Sequence, residues 1–307
     1  MNLLITGGCG HIGSYVAEHI SKIKKIKKTY LIDNLKTTHI SSIFNSHKKN
    51  KLKFYPIDLT VKNCLKQFKK IDYIIHLASM TNAAGSFDIK NEMYKNNLEC
   101  MKNVIDYCVM NKSKLIHISS TSVYGKQANL VDETCEKKYL KPQSPYADIK
   151  LMEENMLKKL NGKLNYITYR FGTISGVSKG MRFHTAVNRF CLDASLDRNI
   201  NVYKTALNQY RPYLSLNDAF KIFKFTIEKN FFKNDIYNAL SENCTVNDIL
   251  NKIRKFKKKL RIKLVSSPIM NQLSYHVDKK KLNNEGLFLK GKIENDIKNT
   301  LKLLKNI

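Results

Sequence analysis

The stretch Leu3-Leu4-Ile5-Thr6-Gly7-Gly8-Cys9-Gly10-His11-Ile12-Gly13 decides the fold. A short apolar run with no polar break reads as a strand buried on both faces. The glycines that follow are spaced Gly7-x-x-Gly10-x-x-Gly13. Gly7 permits a tight turn, Gly10 lets the backbone approach a bound group, and Gly13 lets the next helix pack close to the strand. A helix starting there aims its free N–H groups and its positive end at the turn, which suits a phosphate. A glycine turn can also exist without a ligand. Its place between a strand and a helix favours the phosphate-binding reading. His11 and Ile12 would then meet a diphosphate through their backbone, and a metal role for His11 has no support.

Outward from this loop, apolar runs recur at residues 30–32, 52–55, 73–75, 115–118 and 165–169, with room for a crossover helix between most of them. Continuous apolar runs alternating with helical stretches predict an α/β fold, a doubly wound parallel sheet with helices on both faces. From Thr173 the pattern changes. A loop with Gly176, Ser178 and Gly180 leads to a helix over 184–196, a returning strand over 211–216 and a helix over 217–230. This reading gives a dinucleotide-binding domain over 1–172 with a returning segment at about 211–240, and a smaller interleaved lobe over 173–210 and 241–307 that binds substrate.

Asp33 ends the second run about twenty residues beyond the glycines. A carboxylate there accepts hydrogen bonds from an adenosine ribose and repels a 2′-phosphate, so NAD is expected rather than NADP. Asn34 follows, with no arginine beside it to hold a phosphate, although Lys36 is near. Asp58-Leu59 closes the third run, where the aspartate can reach the adenine or cap a helix, or do both.

The chemistry is expected in Pro145-Tyr146-Ala147-Asp148-Ile149-Lys150. Tyr146 and Lys150 lie four apart, hence on one face of a helix. A nearby ammonium and a positive nicotinamide ring both favour the phenolate of a tyrosine whose ordinary pKa is about 10. The result is a base that takes a hydroxyl proton while hydride leaves the same carbon. Lys150 can also hold the nicotinamide ribose. Ser119-Ser120-Thr121-Ser122-Val123-Tyr124-Gly125 closes the fifth strand. Ligands sit beyond the carboxyl ends of such strands, so these hydroxyls can share the substrate's proton with Tyr146, Ser120 ahead of Thr121.

Taken together these residues resemble the extended short-chain dehydrogenases, in the group of nucleotide-sugar epimerases and dehydratases. The likeness spans roughly residues 1–218, with motifs in order: the Gly7 loop, Asp33-Asn34-Leu35, Asp58-Leu59, His76-Leu77-Ala78-Ser79, Asn97, Ser119 to Gly125, Tyr146 with Lys150, and Arg211 to Asp218. The resemblance implies a Rossmann domain, bound NAD and a nucleotide-diphosphate sugar substrate. It implies that Leu77, Ala78 and Ser79 line the cofactor cleft, that Asn97 supports the active-site wall, that Ser120 is the catalytic hydroxyl, and that Arg211 binds substrate phosphates. A homodimer is expected on the same ground.

Two departures stand out. The 4,6-dehydratases carry an Asp-Glu pair where this chain has Thr121 and Ser122, which leaves that elimination without its acid and base. The family's Arg-x-x-Asn after the sixth strand is Arg170-Phe171-Gly172-Thr173 here, so Thr173 replaces an asparagine on the diphosphate. Arg182, His184 and Asn188 are further candidates for shaping the substrate site, Arg182 and Asn188 foremost.

Lys and Arg number 54 against 25 Asp and Glu, a formal charge of +29. Lysine dominates and is spread along the chain beside Asn and Ile, which reads as solvated helix faces. The charge would still steer an anionic substrate. No nucleic-acid or membrane partner is expected. The seven cysteines show no Cys-x-x-Cys pair and no zinc spacing, so metal catalysis is not expected and reduced thiols are. With no apolar run of membrane length and a first strand that begins at once, a cytoplasmic location is expected. The expected activity is oxidation at C4 of a nucleotide-linked sugar followed by hydride return, an epimerase. The alternative is a 4-dehydrogenase or 4-ketoreductase. A non-catalytic NAD sensor or nucleic-acid binder on the same scaffold would be expected to lose Tyr146 or Lys150.

Overall fold

The computed structural model describes residues 1–44, 52–81, 87–127, 130–160, 162–266 and 274–305. Its centre is a seven-stranded parallel sheet. The first strands are β1 (Asn2–Thr6), β2 (Lys28–Asp33), β3 (Leu52–Pro56), β4 (Tyr73–His76) and β5 (Lys114–Ser120). A short β6 (Leu130–Val131) lies outside the sheet, which continues with β7 (Tyr166–Phe171). Between Thr173 and the C-terminus come β8 (Thr173–Ser175), β9 (Ile200–Tyr203), β10 (Tyr210–Ser215), β11 (Ile236–Ala239), β12 (Glu242–Thr245), β13 (Ile262–Val265) and β14 (His276–Val277). The sheet order is β11-β7-β5-β4-β1-β2-β3, with every neighbouring pair parallel. The order reverses between β1 and β4, so a crevice opens there beyond the strands' carboxyl ends.

The central strands are largely apolar because both faces are covered, while the edge strand β3 is only partly buried. Leu3 and Ile5 of β1 enter one core, while Leu4 between them enters the other. Helix α1 (His11–His19) and a later helix α5 (Leu216–Lys229) cover the first face. Helices α2 (Lys90–Asn111) and α3 (Pro145–Lys158) cover the second. In α2 the buried residues Met93, Asn97, Cys100, Met101, Val104, Ile105 and Cys108 repeat at helical spacing, and Lys112 ends the helix in the left-handed region. The start of α3 is fixed by its sequence. The Ser144 side chain accepts from the Ala147 N–H at 3.2 Å, and Pro145 takes the first helical position. That cap sets where Tyr146 and Lys150 stand.

After β7 the chain builds a second layer. Strands β12-β10-β8 form a small mixed sheet, and β9 pairs with β13. Helices α4 (Ala186–Ser195), α6 (Val246–Arg254) and α8 (Ile293–Leu303) pack on them around a separate apolar core, and a short α7 (Lys280–Asn284) intervenes. The chain returns to the large sheet through α5 and β11. Strand β10 therefore belongs to the small sheet, and 216–239 is the part that goes back. The helices expected over 184–196 and 217–230 are α4 and α5. Among the described residues no helix is long and apolar enough to cross a membrane.

Candidate active site

The glycine turn is held as the sequence requires. Gly7 has φ +65°, and a Cβ there would lie 2.8 Å from the Ala78 nitrogen and the Leu77 carbonyl carbon. A Cβ on Gly13 would lie 2.3 Å from the Gly7 oxygen, so only glycine lets α1 approach the turn. Thr6 Oγ1 accepts from the Leu77 and Ala78 N–H groups, both at 3.0 Å, tying the end of β4 to the turn. A cleft of about 770 Å³, part of it open to solvent, runs from this turn past Asp33, Asn34 and Leu59 at one end to Leu77, Ala78, Ser79 and Met80 at the other.

Asp33 is buried at the end of β2 and accepts from the Cys9 N–H at 3.0 Å and the Thr38 hydroxyl at 2.8 Å. Asp58 is bound to its own turn: its Oδ1 accepts from the Thr60 N–H and hydroxyl, and its Oδ2 lies 3.1 Å from Lys36. Burial pushes this carboxyl up, but those hydrogen bonds and Lys36 win and hold it down at about 2. The Asn97 amide bonds Met80 at both ends, donating to its carbonyl at 3.1 Å and accepting from its N–H at 2.8 Å, so Asn97 fixes one wall of the cleft. The His11 ring turns away from the cleft to the Gly176 carbonyl, 2.8 Å from Nε2, and burial keeps it neutral with a pKa lowered to about 4.

The segment after β8 lies across the glycine turn. Ser178 Oγ donates to the His11 carbonyl at 2.8 Å, and the Gly180 N–H donates to Ser14 Oγ at 2.9 Å. A side chain at Gly180 would strike the Cys9 and Gly10 carbonyls, at 2.4 and 2.6 Å. This path carries Arg182 into the cleft. Its Nη2 lies 3.9 Å from the position of a Cβ on Gly10, and its Nη1 donates to Thr81 Oγ1 at 3.0 Å. Sequence reading set Arg182 beside the substrate; in the fold it lines the same cleft as Gly7 and Asp33. Asn188 is buried and donates to the Arg182 carbonyl at 3.0 Å, so it pins that segment. The His184 side chain is exposed.

At the carboxyl end of β5 the Tyr146 hydroxyl stands close enough to Ser120 for the serine to pull its pKa down. Ser120 Oγ also accepts from the Ser122 N–H at 3.1 Å and from its hydroxyl at 2.8 Å. Lys150 is buried, with Nζ 5.8 Å from the centre of the Tyr146 ring. From the sequence, Lys150 is expected to make the phenol acidic. Burial outweighs it in the free chain: the Tyr146 pKa is raised, with Lys150 and Ser120 pulling it down and Glu153 pushing it up. Thr121 is buried, its hydroxyl 3.3 Å from the Phe171 carbonyl and 3.5 Å from the Tyr275 hydroxyl. Arg211 on β10 faces Tyr275 and Tyr213, and its Nε is buried without a partner. Thr173 heads β8 opposite Tyr213. Arg170 does not face the cleft. It grips Glu154 at 2.9 and 2.7 Å and lies 4.8 Å from the centre of the Tyr124 ring.

Residues 3–239 match the NAD dependent epimerase/dehydratase family. The chain belongs to that family. Among its members, the UDP-glucose 4-epimerase of Yersinia enterocolitica is 32% identical over 164 residues, 52% of this chain and 48% of that protein. The dTDP-D-glucose 4,6-dehydratase of Dictyostelium discoideum is 27% identical over 252 residues, 77% of this chain and 57% of that one. The chain thus spans about half the length of the curated relatives it matches. In three dimensions it is similar to the UDP-N-acetylglucosamine 4-epimerase of Methanobrevibacter ruminantium in complex with UDP-N-acetylmuramic acid. The TM-score is 0.84 at 25% identity, over 98% of this chain and 97% of that one.

The fold brings Gly7, Gly10, Asp33, Asn34, Leu59, Leu77, Ala78, Ser79 and Arg182 to one cleft, and Ser120, Tyr146 and Lys150 to one cluster. Gly13, His11, Ile12, Asp58 and Asn97 shape its walls rather than line it. Sequence reading missed Glu153 and His117, buried behind Lys150, although Glu153 lies three residues on along the same helix face. Among the described residues there is no cluster of three or more His, Cys, Asp or Glu able to hold a metal ion.

Proposed function

We propose that this chain is an NAD-dependent nucleotide-sugar 4-epimerase, with Tyr146 as general base. The observation that carries the reading is Tyr146 beside Ser120 at the carboxyl end of β5, with Lys150 on the same helix face, in a fold whose glycine turn and Asp33 line a cleft suited to a dinucleotide. The fit of that cleft rests on its own geometry. Gly7 and Gly13 exclude any Cβ, Gly10 leaves its backbone open toward the cleft, and Asp33 stands at the end of β2 where a ribose would lie. An aspartate there, placed to accept from the ribose hydroxyls, favours NAD over NADP.

Bound NAD supplies the hydride acceptor. The chain's residues do the rest. Tyr146 takes the proton from the sugar hydroxyl, Ser120 holds the same oxygen, and Lys150 supports the phenolate and the nicotinamide ribose. Arg182 is placed to meet the cofactor's diphosphate with the N–H groups of the glycine turn. Arg211, with a buried unpartnered Nε, and Thr173 are assigned to the substrate diphosphate. In an epimerase Tyr146 returns its proton to the same oxygen after the sugar has presented its other face. Thr121 and Ser122 cannot serve as the acid and base of a 4,6-elimination, and Thr121 is turned into the interior. That observation favours the epimerase over a dehydratase. A 4-dehydrogenase or ketoreductase shares the first half-reaction and is separated from it by its products. A homodimer in the cytoplasm completes the reading.

The test is Tyr146→Phe with a panel of UDP-, dTDP-, GDP- and CDP-sugars. Turnover is expected to drop at least ~100-fold, as loss of a general base does, while bound cofactor is retained. Unchanged turnover would remove the mechanism. A lasting reduced-nicotinamide absorbance with wild-type protein would point to a dehydrogenase instead.

A further inference from the structure

Behind the Tyr146 cluster lies a group of ionisable side chains that the reaction above does not use. Glu153 Oε2 accepts from Lys150 Nζ at 2.8 Å and from His117 Nε2 at 2.9 Å. His117 Nδ1 lies 3.2 Å from Thr168 Oγ1, on the neighbouring strand β7. His117, Glu153 and Lys150 are 0%, 0% and 4% exposed, so no solvent screens them. We propose that Glu153 is a positioning residue: anchored by His117, it holds the Lys150 ammonium in place and offsets part of the positive charge that Lys150 presents to Tyr146. The inference rests on the reading of Tyr146 as base.

Three observations carry it. The first is the contrast with the next residue. Glu154 goes to Arg170 and Ser119, so among the described residues Glu153 is the carboxylate hydrogen-bonded to the catalytic lysine, and it ties that lysine to His117 in the sheet. The second is that a buried ion pair is weak evidence for stability, since apolar side chains of similar volume commonly replace one without loss. A carboxylate placed on the catalytic lysine therefore asks for another reason.

The third is the inventory of groups facing Lys150. On its own helix these are Tyr146 and Glu153, on β5 His117, on β4 His76, and on α2 Cys100. Burial lowers His76 to about 3 and raises Cys100 to about 12, so both are neutral. Glu153 is pushed up by burial, but Lys150 and the His117 hydrogen bond win and hold it at about 2. As an acceptor it requires the proton of His117 on Nε2. Lys150 and Glu153 are thus opposing charges in one enclosed space, and Tyr146 feels both. An epimerase needs that balance. Its tyrosine must take a proton and then give it back, so an ammonium acting unopposed would make the phenol too weak a base.

The test is the titration of the Tyr146 phenolate in NAD-loaded protein, followed by the ultraviolet tyrosinate band. The Tyr146 signal is isolated by subtracting the same titration of Tyr146→Phe. In Glu153→Gln the midpoint is expected about one pH unit lower, the scale of a single nearby charge. Glu153→Met should move it the same way, and Glu153→Asp, which keeps the charge, should restore most of the shift. An unmoved or higher midpoint in the neutral variants overturns the proposal. So does failure of both to fold while Glu153→Asp folds, which would mark Glu153 as a stability element only. If wild-type protein binds no NAD, or Tyr146→Phe keeps full turnover, it is the base reading that fails. If that reading passes and the midpoint stays, Glu153 alone has lost its role.

Discussion

The large sheet and the layer after Thr173 both bury carboxylates, and they treat them differently. Under the sheet, Glu154 meets the Arg170 guanidinium and Glu153 meets Lys150, so burial comes with an opposite charge. In the second layer Asp296 on α8 has Ser175 as its hydrogen-bond donor and feels the carboxylates of Asp218 and Glu242. Burial raises it to about 7, and those two neighbours push the same way. Asp218 is itself held by Ser241, the Gly291 N–H and Lys221. Burial pushes both Glu153 and Asp296 up; what faces each decides whether that push prevails.

The hardest test of that contrast is Arg170→Met. It strips the cation from a buried pair and is expected to cost about 3–5 kcal/mol, read as a lower urea midpoint. A variant of wild-type stability would show that the pair does not matter.

Asp296→Asn is expected to act with the opposite sign. A group whose folded pKa is raised above its ordinary 3.8 loses stability as pH rises through about 7. The amide should therefore stabilise by about 1–2 kcal/mol at pH 8, allowing for its partial exposure, and give no gain below about pH 4. Glu153 runs the other way: its contribution is present above its ordinary 4.5 and fades as pH falls toward about 2. Urea midpoints against pH for the two proteins would separate these slopes. A loss of stability at pH 8 in Asp296→Asn would break the comparison.

The smallest expected effect sits where the regions meet. Arg182 comes from the second layer, and Thr81 is the hydrogen-bond partner it finds in the cleft. Arg182→Ala should weaken NAD binding about tenfold, the worth of one charge-assisted contact, with little change in thermal stability. Unchanged NAD affinity together with a raised KM for the sugar would return Arg182 to the substrate side.

Much of this was legible in the residues. The six apolar runs are β1 to β5 and β7, because a strand covered on both faces is mostly apolar; β3, at the sheet edge, still shows as a run although only partly buried. Gly7 and Gly13 read correctly because a turn and a close helix leave no room for a Cβ. Arg211–Leu216 was also readable as a strand, but not its sheet: pairing with β8 and β12 depends on partners distant in the chain. His11 was readable as backbone at the turn, while its ring's destination at Gly176 was not.

The sequence by itself determined the alternating strands and helices, the glycine turn and the Tyr146/Lys150 spacing, since each follows from local sterics and helical period. Only the tertiary structure decided which charges meet. It set Glu153 against His117, Glu154 one residue later against Arg170, and Arg182 over a turn well over a hundred residues away. Electrostatic energy depends on distance and burial, and neither is written in the order of residues.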